Sequence, residues 1–299
     1  VDFTETKNIE IFKYTNHGGS DNFHVDESWT ELVEWSFGQY ENADLILPQL
    51  PKLERLNLGS VDQAEDLDFT IYPTLKELRM TYMDNLKSMN MDGMPNLEYI
   101  ELYAMWDLRE LEVTNLPKLE EARLEFIARA SDITLSQLPS LEILKLNNME
   151  RVRNISLTDY KITKIEIFSG QDCEQLIMEN IDPEIVWIDG LDKVKKVDFS
   201  TFSKMNFLRL WNNEGLEEVY TKNGVQKGIF EIRQNFNVNY ICADDFDVSR
   251  VQNMLSTDDI DNCEVESACS AVSVEEGVDV NLTIFPTLSS GIFSINSDL

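Results

Sequence analysis

A mainly β solenoid of about eleven 22-residue coils, each with two short strands, closed by a small helical C-terminal cap, is the fold this 299-residue chain predicts. Three observations carry the prediction. Pro51, Pro73, Pro95, Pro117 and Pro139 recur every 22 residues. From each proline, apolar residues return at +2, +5, +7 and +10, and again at +13, +16, +18 and +21, so each unit is two eleven-residue halves reading L-x-x-L-x-L-x-x-apolar. Within each half the x-L-x-L alternation has the two-residue period of a strand buried on one face, and the polar breaks are too short for long helices.

The elements follow in chain order. Ile9, Phe12 and Tyr14, then Leu32, Trp35 and Phe37, fit two coils upstream of the first proline. Leu53, Leu56, Leu58 and Val61 begin the regular region, followed by Leu75, Leu78, Met80 and Met83, whose second half carries Leu86, Met89, Met91 and Met94. Past the prolines the phrase continues with slips of one or two residues. Ile162, Ile165 and Ile167 take the first-strand places, then Ile185 and Ile188, then Met205, Leu208 and Leu210, then Phe230 and Ile232. Stacked coils set equivalent strands roughly 4.8 Å apart and fuse the leucine columns into one core, so no coil stands alone. Residues 1–241 form this solenoid, and 242–270 a cap in which Asp245 to Leu255, with Phe246, Val248, Val251 and Leu255, reads as a short helix covering the exposed last coil. Residues 271–299 are a linker and a terminal β segment.

Composition narrows the function. Fifty-five acidic against 25 basic residues give a net charge of −30, which repels nucleic acid and anionic membranes. No run of eighteen apolar residues exists, so no transmembrane segment is expected. Three of the four cysteines, Cys242, Cys263 and Cys269, crowd the last sixty residues without zinc-type spacing, which favours a disulfide in an oxidising compartment over a metal site.

The L-x-x-L-x-L repeat over roughly residues 7 to 241 resembles the leucine-rich repeat family. It departs from that family where an asparagine normally bonds the turn: Val61, Met83, Met105, Ile127 and Met149 stand there, so hydrophobic packing replaces an asparagine ladder. The cap resembles the ends of secreted bacterial leucine-rich repeat proteins, which implies a Cys242–Cys269 disulfide, a buried free Cys173, and Cys263 free or an alternative partner. The closing stretch "NLTIFPTLSSGIFSINSDL", with Pro286, Ser290 and Gly291, looks like the start of a type IX sorting domain, although Leu288 or a neighbour replaces the usual second proline. That resemblance implies export to the surface or exterior of a Gram-negative bacterium; a terminal β-hairpin is the alternative.

No constellation for catalysis stands out. His17 and His24 lie in a polar N-terminal loop, where His24, Asp26 and Ser28 have no oriented nucleophile and two histidines make a weak metal site. The acidic runs "ADDFD" and "STDDID" lack a calcium loop's glycine and terminal glutamate. Neither enzyme activity, a cofactor nor a metal is expected. Recognition is the expected role, since the outward +4 place reads Ile11, Glu34, Arg55, Glu77, Tyr99, Glu121, Ile143, Lys164, Trp187, Phe207 and Ile229, becoming aromatic late in the chain. Tyr103, Phe168 and Trp211 follow at +8, Tyr82 and Phe126 at +9, while outward second-strand places are almost wholly polar. Trp187, Phe207 and Trp211 are therefore expected to form one patch, continued along a concave face by Tyr99, Tyr103 and Ile143, for a protein or neutral glycan ligand. The alternative role is a structural or adhesive subunit of an outer-membrane assembly.

Overall fold

The computed structural model describes residues 8–16, 28–39, 47–61, 64–258, 260 and 262–269. His17, His24, Asp26, part of the "STDDID" run and the sorting-domain segment lie outside the described residues.

The chain is a parallel β-solenoid. Its first strands, Ile11–Asn16, Glu34–Gln39, Arg55–Gly59, Glu77–Thr81, Tyr99–Met105, Glu121–Ile127, Ile143–Asn147, Lys164–Phe168, Ile185–Asp189, Phe207–Trp211 and Ile229–Arg233, make one eleven-stranded parallel sheet with about ten turns between its ends. The strands show the alternating burial their sequences predict. Leu56, Leu78, Ile100, Ala122, Leu144, Ile165, Val186, Leu208 and Phe230 stack in one column of partners, each essentially inaccessible.

Nine successive first strands turn a tight corner at or just before their C-terminal end, at a residue with positive φ: Ser60, Tyr82, Ala104, Phe126, Asn148, Ser169, Gly190, Asn212 and Gln234. At most of these corners the left-handed residue aims its N–H at the next coil, as where the N–H groups of Ser60, Tyr82 and Ser169 donate to the carbonyls of Thr81, Tyr103 and Asp189 at 2.8 to 2.9 Å. The corner therefore stays hydrogen-bonded although it leaves the ladder.

Second strands are shorter and do not form one sheet. They pair in three groups: Asp66–Asp68 with Ser88–Asn90; Glu110–Thr114 through Gln175–Glu179; and Lys196–Asp198, Glu218–Tyr220, Tyr240–Cys242 and Glu264–Glu266. The last strand belongs to the cap and follows the helix Val248–Thr257, which starts three residues later than expected and buries Val251 and Leu255 while leaving Phe246 exposed.

The turn place corrects one expectation in part. Hydrophobic residues do fill it through Met149, but in the last two coils it is held by Asn213 and Asn235, both buried. Asn235 Oδ1 accepts from the Asn213 N–H at 2.9 Å, Asn213 Oδ1 accepts from the Leu191 N–H at 3.0 Å, and Asn235 Nδ2 donates to the Leu210 carbonyl at 2.7 Å. A two-rung asparagine ladder thus replaces hydrophobic packing next to the cap.

The cap is tied by a Cys242–Cys269 disulfide with Cα atoms 5.2 Å apart, while Cys173 is buried and free and Cys263 is half-buried and free. Burial pushes both free thiols up to about 12. Since the thiolate is the reactive form, native protein should resist alkylation near neutral pH. Unfolding without reductant should expose Cys173 and Cys263 to labelling, with Cys242 and Cys269 recovered as one linked peptide pair; Cys173 in a disulfide-linked peptide would contradict this arrangement.

Candidate functional site

The long sheet's outward face differs in charge from the rest of the molecule. Its outward strand residues include eight bases, Lys13, Arg55, Arg79, Arg123, Lys145, Lys164, Arg209 and Arg233, and eight acids, Glu34, Glu77, Glu101, Glu121, Glu125, Glu166, Asp189 and Glu231. The face is neutral in a chain of net charge −30. Outward places on the second strands carry Asp66, Asp68, Glu110, Glu112, Asp132, Glu179, Asp198, Glu218, Glu264 and Glu266 against Lys196 alone. An anionic group therefore meets less repulsion at the long sheet than at the second strands.

The register moves one expected site residue. Trp187 does not stand in the +4 column: Ile185 pairs with Lys164 and Phe207 there, and Trp187 occupies the middle outward column between Glu166 and Arg209. Ile185, read from the sequence as inward, is accordingly half-exposed, and Val186 takes the core place. The reason is length. Ile143 to Lys164 and Lys164 to Ile185 are each 21 residues, one short of the repeat, so counting by 22 overshoots.

This shift tightens the patch. Trp187 meets Phe168 edge to face at 5.0 Å between centroids and Trp211 at 5.7 Å. The Arg209 guanidinium lies 4.9 Å from the Trp187 ring centre, 5.0 Å from Phe207 and 5.1 Å from Trp211, and its Nε donates to Glu231 Oε2 at 2.8 Å. Arginine over aromatic faces is favourable by about 0.5–1 kcal/mol at exposed sites, and with three rings it fixes their relative positions. Both indole N–H groups, of Trp187 and Trp211, are enclosed without a conventional hydrogen-bond partner among the described residues. Ile185 and Ile229 extend the same surface on adjacent strands.

The structure does not join the remaining expected residues to this patch. Tyr99 and Tyr103 are on the strand four places away, about 19 Å at the usual strand spacing. The intervening strands carry mainly charged side chains, including the pairs Arg123–Glu121, Lys145–Glu125 and Lys164–Glu166. Tyr99 is already engaged: the Arg79 guanidinium sits 4.3 Å from its ring centre and its hydroxyl donates to Glu101 at 2.9 Å. Burial, then the Glu101 hydrogen bond, pushes that phenol up to about 12. Ile143 is half-buried between Glu121 and Lys164. Phe168, Ile185, Arg209 and Ile229 complete the working patch, and the arginine was visible in the sequence as a base at the outward place between two aromatic residues.

A groove of about 980 Å³ opens elsewhere, beside the two shortened coils, lined in part by Glu142, Tyr160, Lys161, Ile181, Asp182 and Glu184. Tyr160 is buried there with its hydroxyl enclosed and without a hydrogen-bond partner among the described residues, and burial raises its pKa. Among the described residues no group of three or more His, Cys, Asp or Glu side chains is placed to hold a metal ion, and no helix is long and apolar enough to cross a membrane. No protein-family model, curated protein or solved structure matches this chain.

Proposed function

We propose that the protein is a non-catalytic, exported recognition protein that binds a protein or an uncharged glycan through the long sheet's aromatic patch. One observation carries the reading: Phe168, Trp187, Phe207 and Trp211 are gathered with Arg209 on the neutral face of an otherwise strongly acidic molecule. Rigid aromatic anchors bury large areas at little entropic cost, and here they are ordered before any ligand arrives. The Cys242–Cys269 disulfide supports an oxidising, extracytoplasmic setting, and the leucine-rich repeat and type IX sorting resemblances support the surface of a Gram-negative bacterium.

Trp187→Ala and Trp211→Ala should each weaken capture of a native partner by about 1–4 kcal/mol. Each lost edge-to-face pair should cost the fold about 0.5–1.5 kcal/mol, two pairs for Trp187 and one for Trp211, leaving a folded solenoid. Affinity by calorimetry, alongside thermal melts, separates the two effects. Variants that melt lower yet bind as well as the parent would assign these rings to packing alone.

A further inference from the structure

We propose that a second aromatic surface, Tyr82, Tyr103, Phe126 and Trp106, is a docking strip for an arginine- or lysine-bearing segment of a partner protein. The rings follow one another at 5.4 Å from Tyr82 to Tyr103, 5.1 Å on to Phe126 and 6.3 Å from Phe126 to Trp106. The strip is separate from the Trp187 patch and does not depend on it.

Core packing does not account for the two ends of the strip, while Tyr103 and Phe126 between them are half-buried. Tyr82 is 48% exposed and Trp106 42% exposed. Tyr82 and Phe126 also occupy corners with φ near 56°, a conformation that bulky residues disfavour. Across the nine corners, aromatic residues stand only at the two that flank Tyr103; the others take Ser, Ala, Asn, Gly or Gln. Between them the corner is Ala104, whose small side chain lets the two rings close on Tyr103 from either side. Tyr82, bulky, strained and exposed, points to a role outside the fold itself.

The kind of partner follows from what the protein does with its other rings. Arg79 stacks on Tyr99 at 4.3 Å, Lys196 on Tyr220 at 4.2 Å, and Arg209 on three rings. Among the described residues no guanidinium or ammonium lies over Tyr82, Tyr103, Phe126 or Trp106. On the strip's own three strands the outward places carry Glu77, Glu101, Glu121 and Glu125 against Arg79 and Arg123, so an incoming cation meets a local acidic excess beside these rings.

The test uses an alternating glycine–arginine octapeptide, its citrulline counterpart and cellohexaose as probes, titrated calorimetrically at physiological salt. The double variant Tyr82→Ser/Phe126→Asn places at each corner a residue the same corner accepts at Ser60 and Asn148, and Trp106→Ala removes an exposed ring just past its strand. The arginine peptide should bind the parent at least about tenfold more tightly than the citrulline peptide does. Both variants should lose about tenfold or more while melting no lower than a few degrees below the parent, and Trp187→Ala should bind the peptide as the parent does. Equal binding by parent and variants, which is generic attraction to an acidic chain, overturns the proposal. So does absence of binding, or cellohexaose binding that the variants abolish, which would make the strip a sugar site.

Discussion

Leu144→Ala should destabilise the solenoid by about 2–5 kcal/mol, and the position argues for the upper part of that range. Leu144 is wholly buried, and its ladder neighbours are Ala122 on one side and Ile165 on the other. Because Ala122 is already small, a second alanine beside it leaves a gap that stacked backbones cannot close, each strand being held in register by both neighbours. Leu119→Ala, also wholly buried, should fall in the same range. Glu110→Ala is the control: it is exposed on a second strand, opposite Asp132, and its loss should change stability by less than about 0.5 kcal/mol. Urea unfolding read by tryptophan fluorescence checks the series. A Leu144→Ala cost near that of Glu110→Ala would mean the columns do not share one core.

Lys227→Met should cost about 3–5 kcal/mol at neutral pH, because it leaves two buried carboxylates without their cation. Lys227 is 2% exposed, with Nζ donating to the Thr221 carbonyl at 3.0 Å and to Asn223 Oδ1 at 3.1 Å, and lying 3.5 Å from both Asp244 and Asp247. Asp247 is the residue preceding the cap helix, yet its side chain makes no capping bond, and its carboxylate instead meets Lys227. The ion pair thus joins the last coil's loop to the start of the cap. Burial raises the Asp247 pKa and Lys227 opposes that rise. Removing the lysine leaves only the charge of Arg250 to oppose burial, so the folded pKa climbs further above the unfolded value. A folded pKa above the unfolded one means the native state binds more protons between the two, and stability increases as pH falls through that window. The penalty of Lys227→Met should therefore shrink on acidification from pH about 7 toward about 4. Adding Asp244→Asn and Asp247→Asn to Lys227→Met should recover much of the loss. A penalty that is small, or that does not change with pH, would show that the cap does not depend on this pair.

The parts legible in the sequence were those governed by local periodicity. The prolines fix the phase of the coils, and the leucine places between them are occupied as the pattern requires, because a two-residue alternation has one way to bury its apolar side. The Cys242–Cys269 pairing was reached through the resemblance of the cap to known ends, and the geometry agrees with it. What the sequence hid depends on contacts between coils. Two coils shortened by one residue moved Trp187 by one outward place, and nothing in "IVWID" itself tells which isoleucine faces inward. Asn213 and Asn235 sit at the turn place, but their role depends on bonds to the backbone N–H groups of Leu191 and Asn213 in neighbouring coils. The strand Glu264–Glu266 carries one apolar residue and is a strand through pairing with Tyr240–Cys242. Arg209 gains its role from three rings on two strands, an arrangement only the folded register brings together.

Recognition through the neutral aromatic face of the long sheet is the proposal from which the binding expectations for Trp187 and Trp211 follow. Hydroxyl-radical footprinting of the chain bound to a partner captured from its native source tests it most directly, because oxidation reads individual side chains. Binding should protect Trp187, Phe207 and Trp211 while Tyr220, on the acidic second-strand side, is oxidised as in the free protein. Protection of Tyr220 and its neighbours, with the three rings of the long sheet still fully reactive, would contradict it.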